Sequence, residues 1–244
     1  MISRSVEAMG TVFNFYVDAE GATKEMLSDA IDEAVLVLAH IETRFSLWIH
    51  ESELSRFRRG EVQEPSSEFD EVMLLCYKAL EITGGFFDPW ALPGGYDPTG
   101  LVKGWAIEKA IEVLKVNGVR SGGINGGGDV ALVPGWRQQI GVQHPRYREE
   151  LCAIVNVENA VATSGVYERG SHIINPIGKE VSGVSATVVG EELWLCDALA
   201  TALVAGGEDV LFLLERYPNY EGFFIDRYDH LFKTSDMNLN TSNH

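Results

Sequence analysis

Residues 83–108 combine aromatic side chains, two Asp-Pro pairs, a glycine-rich turn and one lysine, a mixture that suits a binding site better than a core. Because proline disfavours an α conformation in the preceding residue, Asp88 and Asp97 are predicted to lie in extended segments. A helical pattern begins at Lys103, which predicts that the acids and the lysine lie just ahead of the first turn. The N–H groups and the dipole of that turn would attract phosphate. A structural alternative is that Asp97 or Thr99 only caps the helix and that Lys103 is solvated.

Asp197 and Thr201 fall on another predicted helix, where residues four apart share a face. A carboxylate and a hydroxyl in that arrangement are hard oxygen ligands that suit Mg²⁺, with backbone carbonyls and phosphate oxygens as its remaining ligands. The alternative is again structural. Asp197 would then interact with the helix dipole, and Thr201 would hydrogen-bond back to the helix.

Two other segments carry groups that could bind a ligand. The turn NGGGD at 125–129 would let a ligand approach the backbone closely, but it lacks the features of the known phosphate-binding loops and is equally well explained as a structural turn. The segment 163–176 contains hydroxyls, Arg169 and His172. A histidine can serve as a general base or as a phosphate partner, whereas the alternative is a surface hairpin with a solvated His172.

The composition limits the classes of partner. The chain has 244 residues and a formal charge of −17, from 36 acidic against 19 basic residues, which predicts no nucleic-acid partner. An anionic ligand would therefore need a local cation, a helix end or a bound metal. The three cysteines are scattered, which indicates neither a disulfide framework nor a thiolate zinc site. Since no signal peptide and no run of about 20 apolar residues is evident, we expect a cytoplasmic protein without a membrane segment.

The hydrophobic periodicity predicts helices over 23–43, 52–57, 67–84, 194–205 and 209–217 and one that starts at Lys103, together with strands over 11–17, 130–133, 138–143, 152–157, 184–189, 222–225 and 231–234. These elements do not alternate as regular βαβ units. The pattern therefore predicts an α+β fold, in which residues 1–244 form a single domain with a mixed, largely antiparallel sheet and packed helices.

Eight short motifs follow one another along the chain: MGT at 9–11, FSLW at 45–48 with SEL at 52–54, GFFDP at 85–89, DPTGLVKG at 97–104, NGGGD at 125–129, TSGVYER at 163–169, HIINP at 172–176 and DALAT at 197–201. In these motifs and in their order, the chain resembles the FAD:protein FMN transferases of the ApbE family over nearly its whole length. The resemblance implies an ApbE-like fold and a Mg²⁺-dependent enzyme. Such an enzyme takes FAD, joins FMN through a phosphoester to a Thr or Ser hydroxyl of an acceptor protein, and releases AMP.

The resemblance also implies roles for particular residues. The flavin nucleotide site would be lined by Met9, Trp48, Phe86, Phe87 and Asp88. Contacts to FAD would come from Asp97, Lys103, His172 and Ile173, with Thr163 nearby. Mg²⁺ would be held by the side chains of Asp197 and Thr201 and by the backbone carbonyl of Gly100. As the base for the acceptor hydroxyl we nominate His172, with Asp197 as the alternative.

The chain departs from the family pattern in three features. Asn175 replaces the Asp of the family's His-x-x-Asp-Pro, Trp48 stands where many relatives have Tyr, and the lipoprotein signal of many members is absent. Two other functions remain open on the sequence. One is an FAD pyrophosphatase that yields FMN and AMP, and the other is a non-catalytic FAD-binding protein.

Overall fold

The computed structural model describes residues 1–147, 149–166, 175, 178 and 180–239. The strands of this part of the chain are β1 (Ile2–Ala8), β2 (Thr11–Asp18), β3 (Ser121–Gly126), β4 (Asp129–Leu132), β5 (Gln138–Gln143), β6 (Leu151–Val157), β7 (Ala160–Gly165), β8 (Gly183–Gly190), β9 (Glu221–Asp226) and β10 (Leu231–Lys233). Its helices are α1 (Lys24–Phe45), α2 (Glu53–Arg58), α3 (Ser67–Ile82), α4 (Thr99–Val116), α5 (Leu193–Gly206) and α6 (Glu208–Leu214).

Eight strands form one sheet in the order β1-β2-β3-β4-β7-β8-β9-β10, and β5 pairs with β6 in a separate sheet. All strand pairs among the described residues are antiparallel. The predicted α+β fold with a largely antiparallel sheet is therefore confirmed. Strands β1, β3 and β7 were not predicted. The sequence of β3, SGGING, has the glycine content of a turn, and its pairing with both β2 and β4 is a tertiary effect.

The large sheet is covered on both faces near its centre. Side chains of successive residues in a strand point to opposite faces, and β4 with the residue after it, Val133, shows this clearly. Ala131 and Val133 belong to the core beneath the helices, whereas Val130 and Leu132 belong to a second core with residues of β5 and β6. The helices thus pack on one face of the large sheet, and α4 lies on it between α1 and α5.

Side-chain caps fix the start of two predicted helices. Thr23 Oγ1 accepts a hydrogen bond from Met26 N at 3.2 Å and caps the start of α1, and Ser52 Oγ accepts one from Ser55 N at 3.0 Å and caps the start of α2.

Within the described residues, no helix combines the length and the apolar character that a bilayer crossing requires.

Helix α4 begins at Thr99, four residues before the predicted start at Lys103. Asp97 Oδ1 accepts hydrogen bonds from both the N–H (3.0 Å) and the hydroxyl (2.7 Å) of Thr99, which stabilises this earlier start. The expectation that Lys103 precedes the helix is therefore wrong, because Lys103 lies in its second turn. Its side chain projects from the body of α4, and its role depends on what α4 packs against.

Candidate active site at the junction of two helices

The N-terminal half of α4 crosses α5 at Gly104. A Cβ atom built on Gly104 would lie 2.6 Å from Leu193 O and 2.9 Å from Trp194 Cα, distances at which real Cβ atoms clash. The absence of a side chain lets the two backbones touch, and Gly104 N donates a hydrogen bond of 3.3 Å to Asp197 Oδ2. We refer to this contact region, with Gly100, Lys103, Gly104, Asp197 and Thr201, as the helix junction.

A larger residue at Gly104 should separate the helices. We expect Gly104→Ala to lower the free energy of unfolding by about 1–3 kcal/mol, because overpacking forces the backbones apart. Val116→Ala, at a position of α4 that is 87% exposed, should change it by less than about 0.5 kcal/mol. Urea denaturation of the two variants compares these effects. Equal stability of Gly104→Ala and the wild type would mean that the junction does not require this close approach.

Oxygen atoms of α5 and β7 meet at the junction, and α4 approaches them at Gly100. Thr201 Oγ1 lies 3.0 Å from Ser164 Oγ of β7 and 3.5 Å from the position of a Cβ on Gly100. The Asp197 side chain is one turn away on α5, and Asp197 is only 3% exposed. Carboxylate and hydroxyl oxygens are hard ligands, the type that Mg²⁺ prefers. In the described ranges, no three His, Cys, Asp or Glu side chains are grouped to hold a metal, so protein ligands here would have to include hydroxyl and backbone oxygens.

Lys103 points from α4 to the sheet. Its Nζ lies 2.8 Å from Asp129 Oδ2, with the lysine side chain 13% and the aspartate side chain 0% exposed. Asp129 Oδ1 accepts a hydrogen bond of 3.1 Å from Thr163 N of β7, and Thr163 Oγ1 lies 2.9 Å from Thr187 Oγ1 of β8. The predicted residues Lys103 and Thr163 are thus brought together by Asp129, which the sequence placed in the NGGGD turn but not in the site.

The predicted flavin-lining residues of the segment before α4 lie beside α5. Phe87 is 5% exposed, and its Cε2 lies 3.1 Å from the position of a Cβ on Gly100, so its ring packs against the junction. The Phe86 ring packs on Gly206, near the end of α5. Asp88 Oδ1 accepts a hydrogen bond of 2.8 Å from Trp90 N, which holds the Asp88-Pro89 turn.

The other predicted contacts lie in separate segments. Met9 has φ 49° in the turn between β1 and β2, and the next strand begins with Thr11, whose hydroxyl lies 2.7 Å from the position of a Cβ on Gly127 in the NGGGD turn. Trp48 lies on the loop after α1 and is 97% exposed. Asp97 accepts the Thr99 N–H bond just ahead of α4, but the N-cap residue is Pro98, which makes no side-chain cap. His172 and Ile173 fall outside the described residues, and their roles stay predictions.

Glu108 of α4 caps the N-terminus of α5. The residue before α5, Glu192, makes no side-chain cap, and Leu193 N donates its hydrogen bond to Glu108 Oε1 instead. A carboxylate at this position also interacts favourably with the helix dipole. Burial nevertheless raises the pKa of Glu108 to about 7, and repulsion from Glu192 and Glu112 contributes to the increase. This second contact between α4 and α5 was not foreseen, since it joins residues 85 positions apart.

The raised pKa of Glu108 predicts a pH dependence of stability. Between its usual pKa of 4.5 and about 7, the folded protein holds a proton that the unfolded chain releases, so the stability contributed by this group falls as the pH rises. Glu108→Gln resembles the protonated form and should be more stable than the wild type by about 1–3 kcal/mol at about pH 8. Urea midpoints should converge at about pH 4.5. A difference that does not change with pH would contradict the assignment.

Asn175 links a predicted FAD-contact motif to the other end of α5. It is 5% exposed, and its Nδ2 donates a hydrogen bond of 2.9 Å to Ala205 O in the last turn of the helix. An ionised aspartate has no hydrogen to donate and would face the negative end of the helix dipole. The hydrogen bond to Ala205 O therefore explains why an amide, and not a carboxylate, suits position 175.

Comparison with known proteins places these features in a family. The model of the ApbE family matches residues 9–94 and 95–224. The FAD:protein FMN transferase of Vibrio cholerae serotype O1 (strain ATCC 39541 / Classical Ogawa 395 / O395) is 25% identical over 271 aligned positions, which span 82% of this chain and 80% of that protein.

The fold is shared with solved structures that bear the same family name. The ApbE protein from Thermotoga maritima superposes with a TM-score of 0.80 at 20% identity, over 96% of this chain and 97% of that one. The flavin transferase ApbE from Vibrio cholerae superposes with a TM-score of 0.76 at 23% identity, over the same shares of 96% and 97%.

Proposed function

The chain belongs to the ApbE family, and from this premise we propose that it is a Mg²⁺-dependent FAD:protein FMN transferase. The oxygen of a Thr or Ser hydroxyl on an acceptor protein forms a bond to the phosphorus of the FMN half of FAD. The bond from that phosphorus to the bridging oxygen breaks, AMP leaves with the bridging oxygen, and the hydroxyl proton passes to a base. The name of the curated relative and the match of the family model support this activity.

The observation that carries the proposal is the helix junction itself. A backbone contact at Gly104 brings together a buried carboxylate, two hydroxyls and a lysine from three different elements, α4, α5 and β7. Phosphoryl transfer depends on positioning and on neutralisation of charge more than on covalent help from the protein. The junction offers charged and hydroxyl groups for these two tasks, and all of them lie on helices and strands.

The charges of the junction support a metal ion. Lys103 is paired with Asp129, so the two side chains together add little positive charge, and Asp197 adds a negative one. A pyrophosphate would bring further negative charge into an already acidic protein. The side chains of Asp197 and Thr201 and the carbonyl of Gly100 would hold Mg²⁺. The ion would supply the charge that stabilises the pyrophosphate oxygens during transfer.

The remaining roles follow from position. Lys103 would bind a phosphate oxygen, because an ammonium has three N–H donors and can contact Asp129 and a ligand together. Phe86 and Phe87 would form an apolar wall beside α5, and Met9, Trp48, Asp88 and Asp97 would complete the nucleotide site. We keep His172, which would contact FAD together with Ile173, as the proposed base. Asp197 is less suited to that role, because as a ligand of Mg²⁺ its carboxylate would be a weaker base.

The direct test uses the purified protein with FAD, Mg²⁺ and a flavin-acceptor domain that carries a target threonine. The expected result is an acceptor whose mass rises by one FMN moiety, and a matched acceptor with that threonine replaced by valine should remain unmodified. An unmodified threonine acceptor together with free FMN and AMP would instead indicate an FAD pyrophosphatase. Intact FAD that stays bound would indicate a binding protein.

A further inference from the structure

We infer that Asp129 is a positioning residue, which holds the Lys103 ammonium in place for the pyrophosphate of FAD. This inference rests on the proposed function. It concerns the last residue of the NGGGD turn, which none of the predicted roles includes. Asp129 does not reach the ligand in this account and acts through Lys103.

The geometry gives Asp129 two fixed contacts. Oδ2 lies 2.8 Å from Lys103 Nζ on α4, and Oδ1 accepts the hydrogen bond from Thr163 N on β7. The carboxylate is fully buried at the first residue of β4, so it has no freedom to follow the lysine elsewhere. One carboxylate thus sets the distance between α4 and two strands of the sheet.

Burial explains why Lys103 needs such a partner. Its side chain is 13% exposed, and a lysine in that setting without a counter-charge extends toward water or loses its proton. Either response would remove the positive charge from the junction. With Asp129 in place, the charge stays inside and the Nζ atom has a defined position from which a phosphate oxygen can be bound.

The test is equilibrium binding of FAD in the presence of Mg²⁺, measured by fluorescence, for three variants. Asp129→Asn keeps an oxygen for Thr163 N and replaces the charged oxygen that faces Lys103 with an NH2 group, which cannot accept from the ammonium. We expect it to raise the Kd for FAD about 10- to 100-fold. The double variant Asp129→Asn/Lys103→Met should bind FAD no more weakly than Asp129→Asn alone. If the aspartate acts through the lysine, nothing remains for the second substitution to remove. The control Glu71→Gln removes the partner of Lys109 on the same helix and should leave the Kd unchanged.

Two results would overturn the inference. One is an Asp129→Asn variant that binds FAD like the wild type, and the other is a double variant that binds FAD at least tenfold more weakly than Asp129→Asn. If Asp129→Asn does not fold, Asp129→Glu tests the position of the lysine instead, because it keeps the charge and displaces the lysine by one methylene. It should raise the Kd for FAD, and a wild-type Kd for this variant would overturn the inference. A wild-type protein that binds no FAD would overturn the proposed function as well, whereas either of the two results above, with FAD bound by the wild type, would overturn this inference alone.

Discussion

Asp197→Asn should lower the rate of FMN transfer on the order of 10³-fold while leaving the fold intact. The substitution preserves the shape of the side chain and an oxygen that can accept the Gly104 N–H bond, so the crossing of α4 and α5 is kept. It removes the negative charge of the side chain that we propose as a ligand of Mg²⁺. A separate readout is the melting temperature, since a ligand that binds only the folded state raises it. With FAD present, Mg²⁺ should stabilise the wild type and have no such effect on the variant.

The matched control is Asp209→Asn, which removes an exposed acid from the first turn of the neighbouring helix α6. It should retain wild-type transfer and the full thermal response to Mg²⁺. If Asp197→Asn retained the same rate and the same response, Mg²⁺ would have to be held elsewhere.

Lys103→Met should lower the free energy of unfolding by about 3–5 kcal/mol, because it leaves the fully buried carboxylate of Asp129 without its counter-charge. Methionine keeps most of the apolar stem, so lost packing contributes little. Combining Lys103→Met with Asp129→Asn should recover most of this loss, since no uncompensated charge then remains. Urea denaturation at about pH 7 compares both variants with the wild type.

Lys109→Met is the control on the same helix. The Lys109 and Glu71 side chains are 33% and 43% exposed, and removal of such a pair should cost less than about 1 kcal/mol. Equal losses for Lys103→Met and Lys109→Met would mean that Asp129 is not electrostatically dependent on Lys103.

The parts of the site that depend on local spacing could be predicted from the sequence. Asp197 and Thr201 lie four residues apart on a strongly apolar helix, and α5 has the predicted position to within one residue at each end. The start of α4 was missed, because Pro98 and Gly100 suggest a loop. The side chain that stabilises the earlier turn, Asp97, acts through a hydrogen bond that periodicity does not reveal.

The contacts that assemble the site join residues distant in sequence and could not be predicted from it. Ser164 and Thr201 are 37 residues apart, and Glu108 and Leu193 are 85 residues apart. The helix contact at Gly104 could not be predicted, because a glycine within a helical pattern can be either a tolerated defect or a contact point. Only the packing of α4 on α5 shows that its missing side chain is required.

The most direct test of the proposed transferase is the stoichiometry of its two products. The purified protein with FAD and Mg²⁺ is incubated with and without the acceptor domain, and AMP and flavin-modified acceptor are measured together over time. We expect one AMP for each modified acceptor, and almost no AMP when the acceptor is absent. AMP release at the same rate with and without acceptor would contradict it, because water would then be the group that attacks FAD.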